Sequence, residues 1–409
     1  MNVKITPCTL DGDVVAPPSK SAAHRALLCA ALAKKKSSIE LSSVSKDIEA
    51  TLRCVEAAGG RALKQDNGYE ITPVFFGGAD KFAECRVKKA VFDCGESGST
   101  LRFFLPVAAA LGIEATFVGS GRLPDRPVGE LLAALKGCNA SADKLPLTIS
   151  GRLQSGVFRL RGDISSQYVT GLLFALPLLE GDSEIVLTTP LESASYVELT
   201  LRALADSGIA VERTESGFFV RGGQVYRPKE TICVEGDWSN AAFFITASAI
   251  GNLVRVRGVD GGSAQGDAAI KNVLLSLRSS GAEIDAGNIP DLVPIVSVAA
   301  AYATGRTVIK NAARLRIKEC DRLHAVAVNL NALGGKVQET NDGLIIDGTG
   351  GLTGGKADGF NDHRIVMSMA IAATKAAGAV EISGAEAVEK SYPAFFEEFK
   401  RLGGKIDVL

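Results

Sequence analysis

Four short segments of the first half set cations or hydroxyls on a loop or at apparent helix starts, an arrangement that suits a phosphate or a carboxylate. In Pro17-Pro18-Ser19-Lys20-Ser21-Ala22-Ala23-His24-Arg25 the prolines hold an extended approach and Ser19 can cap a helix. Lys20, Ser21 and Arg25 then fall in its first turns, where backbone N–H groups and the helix dipole already favour an anion. In Cys94-Gly95-Glu96-Ser97-Gly98-Ser99-Thr100-Leu101-Arg102 a strand leads through glycine and serine into a helix carrying an arginine, and Gly98 lets a ligand approach the backbone closely. Arg122-Leu123-Pro124-Asp125-Arg126-Pro127 adds two arginines on a rigid loop, and Ile164-Ser165-Ser166-Gln167-Tyr168 lines up hydrogen-bonding side chains before a helix. Each segment alone is also compatible with an ordinary capped surface helix or strand-to-helix turn.

The second half brings carboxylates. Asp291, in Ile289-Pro290-Asp291-Leu292, stands at the mouth of a long apolar helix, where burial would raise its pKa and neighbouring cations would lower it; N-capping is the plainer alternative. Arg316 to Arg322 is densely charged, and on a helix Lys318 and Arg322 would share a face at i,i+4 while Glu319 pointed elsewhere; a solvated face is the plainer alternative there. Asn361-Asp362-His363-Arg364 and Glu389-Lys390-Ser391-Tyr392-Pro393 each offer another cation at a helix start.

Other chemistries lack their residues. Gly350 to Lys356 has the spacing of a phosphate-binding loop, but Ala357 sits where a hydroxyl must ligate magnesium, so the segment reads as a Gly-rich hairpin. No dinucleotide-binding glycine pattern and no Gly-x-Ser-x-Gly elbow is present. Cys8, Cys29, Cys54, Cys85, Cys94, Cys138, Cys233 and Cys320 form no Cys-x-x-Cys pair, and His24, His324 and His363 are dispersed; buried or idle cytosolic thiols and no metal site are expected.

The elements that must position these segments repeat. A helix-like run closing on a glycine, followed by a strand, a turn and a second strand, occurs at Leu52–Gly60, Leu131–Gly137, Leu201–Gly208, Leu274–Gly281, Leu330–Gly335 and Phe396–Gly404. The closing glycines lie 77, 71, 73, 54 and 69 residues apart, and each fits a left-handed helix C-cap. Six such units in two threes predict two similar α/β domains, cut near Gln224–Glu230, with ligands favouring the region where domains meet. The strand Val3–Thr6 could belong to either half. The 409 residues carry 45 Lys plus Arg against 46 Asp plus Glu, a balance that offers no global field for nucleic acid or an anionic membrane surface. No apolar run reaches membrane-spanning length and the N-terminus has no apolar h-region, so a soluble, unsecreted protein is expected.

Jointly, Ser19-Lys20-Ser21 with Arg25, Ser97-Gly98 with Arg102, Asp125-Arg126-Pro127, Ser165-Ser166-Gln167, Pro290-Asp291, Lys318-Glu319 with Asp321-Arg322, Asn361-Asp362-His363-Arg364 and Lys390 resemble the 5-enolpyruvylshikimate-3-phosphate synthase family (3-phosphoshikimate 1-carboxyvinyltransferases), in order along nearly the whole chain. The resemblance implies an α/β (α+β) fold of two similar domains, 13–227 and 1–12 plus 228–409, each of three βαβαββ units forming an inside-out α/β barrel, with the active site in the interdomain cleft. It implies transfer of the enolpyruvyl group of phosphoenolpyruvate to the 5-hydroxyl of shikimate 3-phosphate through a tetrahedral intermediate. It implies no metal or organic cofactor, no nucleic-acid or membrane partner, a cytoplasmic location and a monomer. In this sequence Glu96 stands where the family usually has Asn, His24 where many members have Asn, and Arg314 aligns with an Asn that contacts substrate in some members.

Carried over residue by residue, the resemblance assigns Lys20, Ser21, Arg25, Ser165, Ser166, Gln167, Ser193, Tyr196, Asp291 and Lys318 to shikimate 3-phosphate. It assigns Lys20, Gly98, Arg102, Arg126, Gln167, Arg322, Arg364 and Lys390 to phosphoenolpyruvate. Asp291 would take the hydroxyl proton, and Glu319 with Lys318 or Lys20 would protonate the methylene carbon. The substrates carry roughly five to six negative charges, which these cations would meet. A sister enzyme acting on UDP-N-acetylglucosamine uses a Cys in the loop before its Arg-Pro, and Gly119 to Arg126 contains none. A non-catalytic phosphometabolite-binding protein is the other alternative.

Overall fold

Side-chain caps set many of the helix starts: Ser19, Ser45, Ser97, Ser165, Asp237, Asp321 and Asp362 each accept a hydrogen bond from the backbone of the helix that follows, satisfying a donor that the first turn leaves open. The computed structural model describes residues 1–75, 87–278 and 281–409. It divides into two compact units, Pro18–Val234 and Met1–Pro17 with Glu235–Leu409.

Within Pro18–Val234 one sheet pattern occurs three times. Lys89–Asp93 runs parallel to Glu114–Val118, which pairs antiparallel with Leu147–Gly151 and through it with Cys138–Ala140. Val157–Leu160, Ser183–Leu187, Gly217–Val220 and Val211–Thr214 repeat it. In the third sheet the hairpin Arg61–Gln65/Gly68–Thr72 flanks Ser37–Glu40, whose parallel partner is Thr231–Cys233 from the far end of the unit. Alternate strand residues such as Phe92, Phe117, Leu147 and Ile149 point inward and are buried, as a half-covered sheet requires. The central helices Gly98–Leu111 and Ser166–Ala175 are buried almost all round, and they approach closely because a Cβ at Gly171 would collide with the Arg102 carbonyl.

The other unit uses the same pattern twice. Gly281–Asp285, Thr304–Lys310, Leu344–Thr349 and Val337–Glu339 form one sheet. Gly355–Asp358, Val380–Ser383, Val3–Thr6 and Lys405–Val408 form the other, so the N-terminal strand lies between the last two strands of the chain. Among the described residues its remaining sheet is the parallel pair Asp11–Val15 and Leu253–Arg257. After the helix Ile270–Ser276 the next described strand, Gly281–Asp285, pairs into the following sheet. The expected hairpin is therefore not formed at the fourth copy among the described residues, in keeping with the 54-residue spacing there. The core helices here are Val293–Tyr302 and His363–Ala373.

The sequence reading divides the chain at 13 and 227. Asp11–Val15 pairs with Leu253–Arg257 and Thr231–Cys233 with Ser37–Glu40, and the compact units accordingly divide at Pro17 and Val234. Two further expectations are corrected. Left-handed backbone occurs at Gly59, Gly137, Gly208, Gly334 and Gly403, and not at Gly60, Gly281, Gly335 or Gly404. In each glycine pair the first residue takes the cap, and the second leaves room for a neighbour, as where a Cβ at Gly404 would strike the Phe399 ring. The Gly-rich segment 350–357 is no hairpin, because Leu344–Thr349 and Gly355–Asp358 belong to different sheets. The sheets stay separate ladders, none closing into a barrel wall among the described residues. No helix among them is long and apolar enough to cross a membrane.

Candidate active site

In the unit Pro18–Val234, Ser19 caps the helix Lys20–Ala31 by accepting from the Ala22 amide. Lys20 Nζ donates to Asp47 Oδ2 at 2.8 Å. Arg25 is buried and donates from Nε to Thr200 Oγ1 (2.9 Å), from Nη1 to the Ser21 carbonyl (2.7 Å) and from Nη2 to the Tyr196 carbonyl (2.7 Å). Thr200 and Tyr196 lie on the helix Ala194–Asp206, so Arg25 joins two segments far apart in sequence. All three acceptors are neutral, and burial draws the guanidinium pKa down to about 10. A desolvated cation held this way lacks the countercharge that a phosphate would bring.

A second group surrounds Gly98, where a Cβ would lie 2.6 Å from Nη1 of both Arg102 and Arg126. Arg102 donates to Gln167 Oε1 (2.9 Å) and to the Pro127 carbonyl (3.1 Å), and Gln167 Nε2 donates to Ser99 Oγ (2.9 Å). Two guanidiniums thus converge at a helix N-terminus, where a side chain in place of Gly98 would push them aside. Ser165 serves as the cap of Ser166–Ala175, while Ser193 precedes its helix at φ 53° and makes no capping bond.

In the other unit Asp291 lies inside the turn Pro290–Leu292, and the N-cap position of the helix that follows is held by Leu292, not by Asp291. Its Oδ1 accepts from Arg322 Nη1 at 2.9 Å and its Oδ2 from Arg364 Nη2 at 2.8 Å. Arg322 is 1% exposed and also donates to Glu319 Oε2 (2.8 Å) and Asp362 Oδ2 (2.7 Å). Burial opposes the charge on Arg322, but Asp362, Glu319 and Asp291 outweigh it and hold the pKa well above the ordinary value. For Asp291, burial pushes upward, yet Arg364, Lys318 and Arg322 together keep the carboxyl well below the usual range. Lys390 Nζ donates to the Asn361 carbonyl at 2.7 Å, beside the Asp362 cap of the Arg364 helix.

The shared helix face expected for Lys318 and Arg322 is not formed. Asp321 caps a helix that begins at Arg322, which leaves Lys318 and Glu319 in the preceding loop, with Glu319 turned onto Arg322. Lys390 closes a 3-10 turn, Ala385–Lys390, and does not start a helix.

Three participants escaped the sequence reading as site residues. Asp362 combines a cap with an ion pair, and its spacing before Arg364 was the available signal. Asp47, in the first turn after the Ser45 cap, pairs with Lys20. Asp267 is buried and accepts from Ser239 Oγ; burial, and then the charge of Asp291, push its pKa up to about 7 against Arg364. Nothing in its local sequence announces that burial. No group of three or more metal-ligating side chains is found among the described residues. Cys85 lies outside them, and the other seven cysteines are free thiols.

A family model for EPSP synthase (3-phosphoshikimate 1-carboxyvinyltransferase) matches residues 5–399. A 3-phosphoshikimate 1-carboxyvinyltransferase of Clostridium kluyveri is 43% identical over 427 aligned residues, covering 99% of this chain and 98% of its own. One from Clostridioides difficile is 40% identical over 430, with the same coverage. An EPSP synthase structure from Acinetobacter baumannii superposes with a TM-score of 0.81 over the full length of both chains at 24% identity, a likeness of fold.

Proposed function

The chain belongs to the EPSP synthase (3-phosphoshikimate 1-carboxyvinyltransferase) family, and from that membership we infer that it transfers the enolpyruvyl group of phosphoenolpyruvate to the 5-hydroxyl of shikimate 3-phosphate. Phosphate is released, and the product feeds aromatic amino acid biosynthesis. Shikimate 3-phosphate is held by Lys20, Ser21, Arg25, Ser165, Ser166, Gln167, Ser193, Tyr196, Asp291 and Lys318. Phosphoenolpyruvate is held by Lys20, Gly98, Arg102, Arg126, Gln167, Arg322, Arg364 and Lys390, the guanidiniums gripping its oxygens in forked pairs. A cytoplasmic monomer completes the reading.

The observation that carries this assignment is Asp291 set between Arg322 and Arg364. With both guanidiniums beside it the carboxylate is ionised and a poor base. When phosphoenolpyruvate oxygens engage the same two arginines, Asp291 loses much of the attraction that lowers its proton affinity and becomes a better base. Proton acceptance is thereby tied to substrate binding. A proton delivered to C3 by Glu319 or a neighbouring lysine turns the methylene into a methyl, while the substrate oxygen bonds to C2 and gives its proton to Asp291. The tetrahedral adduct then loses phosphate from C2 and a proton from the methyl, restoring the double bond. Fixed positive charge stabilises the oxyanions throughout.

Phosphate release is measured with phosphoenolpyruvate plus shikimate 3-phosphate, and separately plus UDP-N-acetylglucosamine, with the products weighed by mass spectrometry. Release and an enolpyruvyl adduct with the first acceptor alone are expected. Turnover with the second, or binding without turnover, would overturn the assignment.

A further inference from the structure

Arg316, like Asp321, is a charged residue of the 316–322 run to which the mechanism gives no role, yet its side chain is extensively engaged. Nη1 donates to Asp321 Oδ2 at 2.8 Å and to Glu339 Oε1 at 2.6 Å, Nη2 to the Thr340 carbonyl at 2.5 Å, and Nε to the Asn341 carbonyl at 3.0 Å. These contacts do two things. The bond to Asp321 closes a loop from 316 to 321 with Lys318 and Glu319 inside it. The bonds to Glu339, Thr340 and Asn341 fasten that closed loop to the hairpin Val337–Glu339/Leu344–Thr349. The same hairpin turn also holds the start of the segment, since the Ala312 amide donates to the Asp342 carbonyl at 2.7 Å. Asp321 Oδ1 meanwhile accepts from the His324 amide at 3.1 Å, so one carboxylate both caps the Arg322 helix and receives Arg316.

Resting on the functional reading above, we propose that Arg316 is a positioning residue that fixes Lys318 and Glu319 for proton transfer to the methylene carbon. The loop is neither helix nor strand: Lys318 is extended, and 318–321 lie between a 3-10 turn and a helix. Glu319 is anchored on one side by Arg322, and the Arg316 staple supplies the other side. A planar guanidinium is required because one group must serve two carboxylates and two carbonyls in different directions, which an ammonium cannot match in geometry.

The test compares the full-length parent with Arg316→Ala and Arg316→Lys, each checked for folding by its melting temperature. It reads kcat, KM for phosphoenolpyruvate, and incorporation of deuterium from D2O at C3 of phosphoenolpyruvate in the presence of shikimate 3-phosphate. In Arg316→Ala, kcat and deuterium incorporation fall together by about tenfold to a hundredfold, as for a catalytic group displaced by roughly 1 Å, with KM changing by less than about threefold. Added guanidinium ion restores part of the rate to Arg316→Ala and none to the parent, and Arg316→Lys falls between the two. Should the alanine variant fail to fold, the lysine variant carries the same comparison. A folded variant with parental kcat and exchange, or a loss residing in KM alone, overturns the assignment. A parent silent in phosphate release and exchange overturns the functional reading beneath it.

Discussion

Arg25 and Arg322 are both buried arginines near helix starts, one in each unit, and their surroundings are opposite. Arg25 is held by a hydroxyl and two carbonyls and has its pKa drawn down by burial to about 10. Arg322 is held by Asp291, Glu319 and Asp362 and has its pKa raised. Repeated βα architecture therefore gives no indication of charge balance. Neutral oxygens keep a cation oriented while leaving its charge for an incoming anion. Carboxylates neutralise the cation and create groups that can exchange protons. The first arrangement suits binding and the second suits chemistry.

The largest effect that would break the contrast comes from removing each arginine. Arg322→Met leaves three carboxylates without their common partner and lowers unfolding free energy by about 3–5 kcal/mol, read from denaturant midpoints. Arg25→Met removes a desolvated charge that has no carboxylate partner, so stability changes by less than about 1 kcal/mol while affinity for shikimate 3-phosphate falls about a hundredfold. Equal destabilisation by both would show that the neutral cage matters as much as the ionic one.

A pH series sharpens the contrast inside the unit that holds Arg322. Asp267 has a folded pKa of about 7 against 3.8 in an ordinary setting. Between those values the folded chain keeps a proton that the unfolded chain has released, so this carboxyl makes stability fall as pH rises from about 4 to 7. Asp291 is shifted the other way; its contribution is present above its ordinary pKa and is lost as pH drops through the lower folded value. Asp267→Asn is accordingly more stable than the parent at pH 8, by a margin that shrinks toward pH 5, in thermal melts at each pH. A margin that does not change with pH would exclude a titrating Asp267.

The smallest effect concerns Glu96. Its carboxylate packs against the Gly121 turn, where a Cβ would collide with Oε2. Glu96→Asn is expected to change KM for phosphoenolpyruvate by less than about threefold, in the range of a partly exposed charge. A larger drop in KM would mean that this carboxylate repels the anion bound near Arg126.

Much of this was legible in the sequence where the signal was local. Ser19, Ser97 and Ser165 announce their helices because a cap needs only the next few residues, and six glycine-closed runs expose the repeat. Pairings across long separations were not legible. The exchange that sets Thr231–Cys233 beside Ser37–Glu40 leaves no trace at either strand. The loop geometry of Lys318 and Glu319 was misread because a charged run looks helical until Asp321 is known to be the cap. The resemblance named Asp291, but the reason it stays ionised lies in Arg364, 73 residues away. Asp267 and Arg316 carried no local signal, because burial and partners elsewhere in the chain set their surroundings.

The most direct test sets Arg25→Met beside Asp291→Asn, measuring shikimate 3-phosphate affinity by calorimetry and phosphate release in a single turnover at saturating substrates. The division of labour predicts that Arg25→Met loses about a hundredfold in affinity yet keeps a rate within about tenfold of the parent. Asp291→Asn keeps its affinity within about tenfold and loses about a hundredfold or more in rate. Both variants losing affinity and rate in the same proportion would contradict the separation of binding from chemistry.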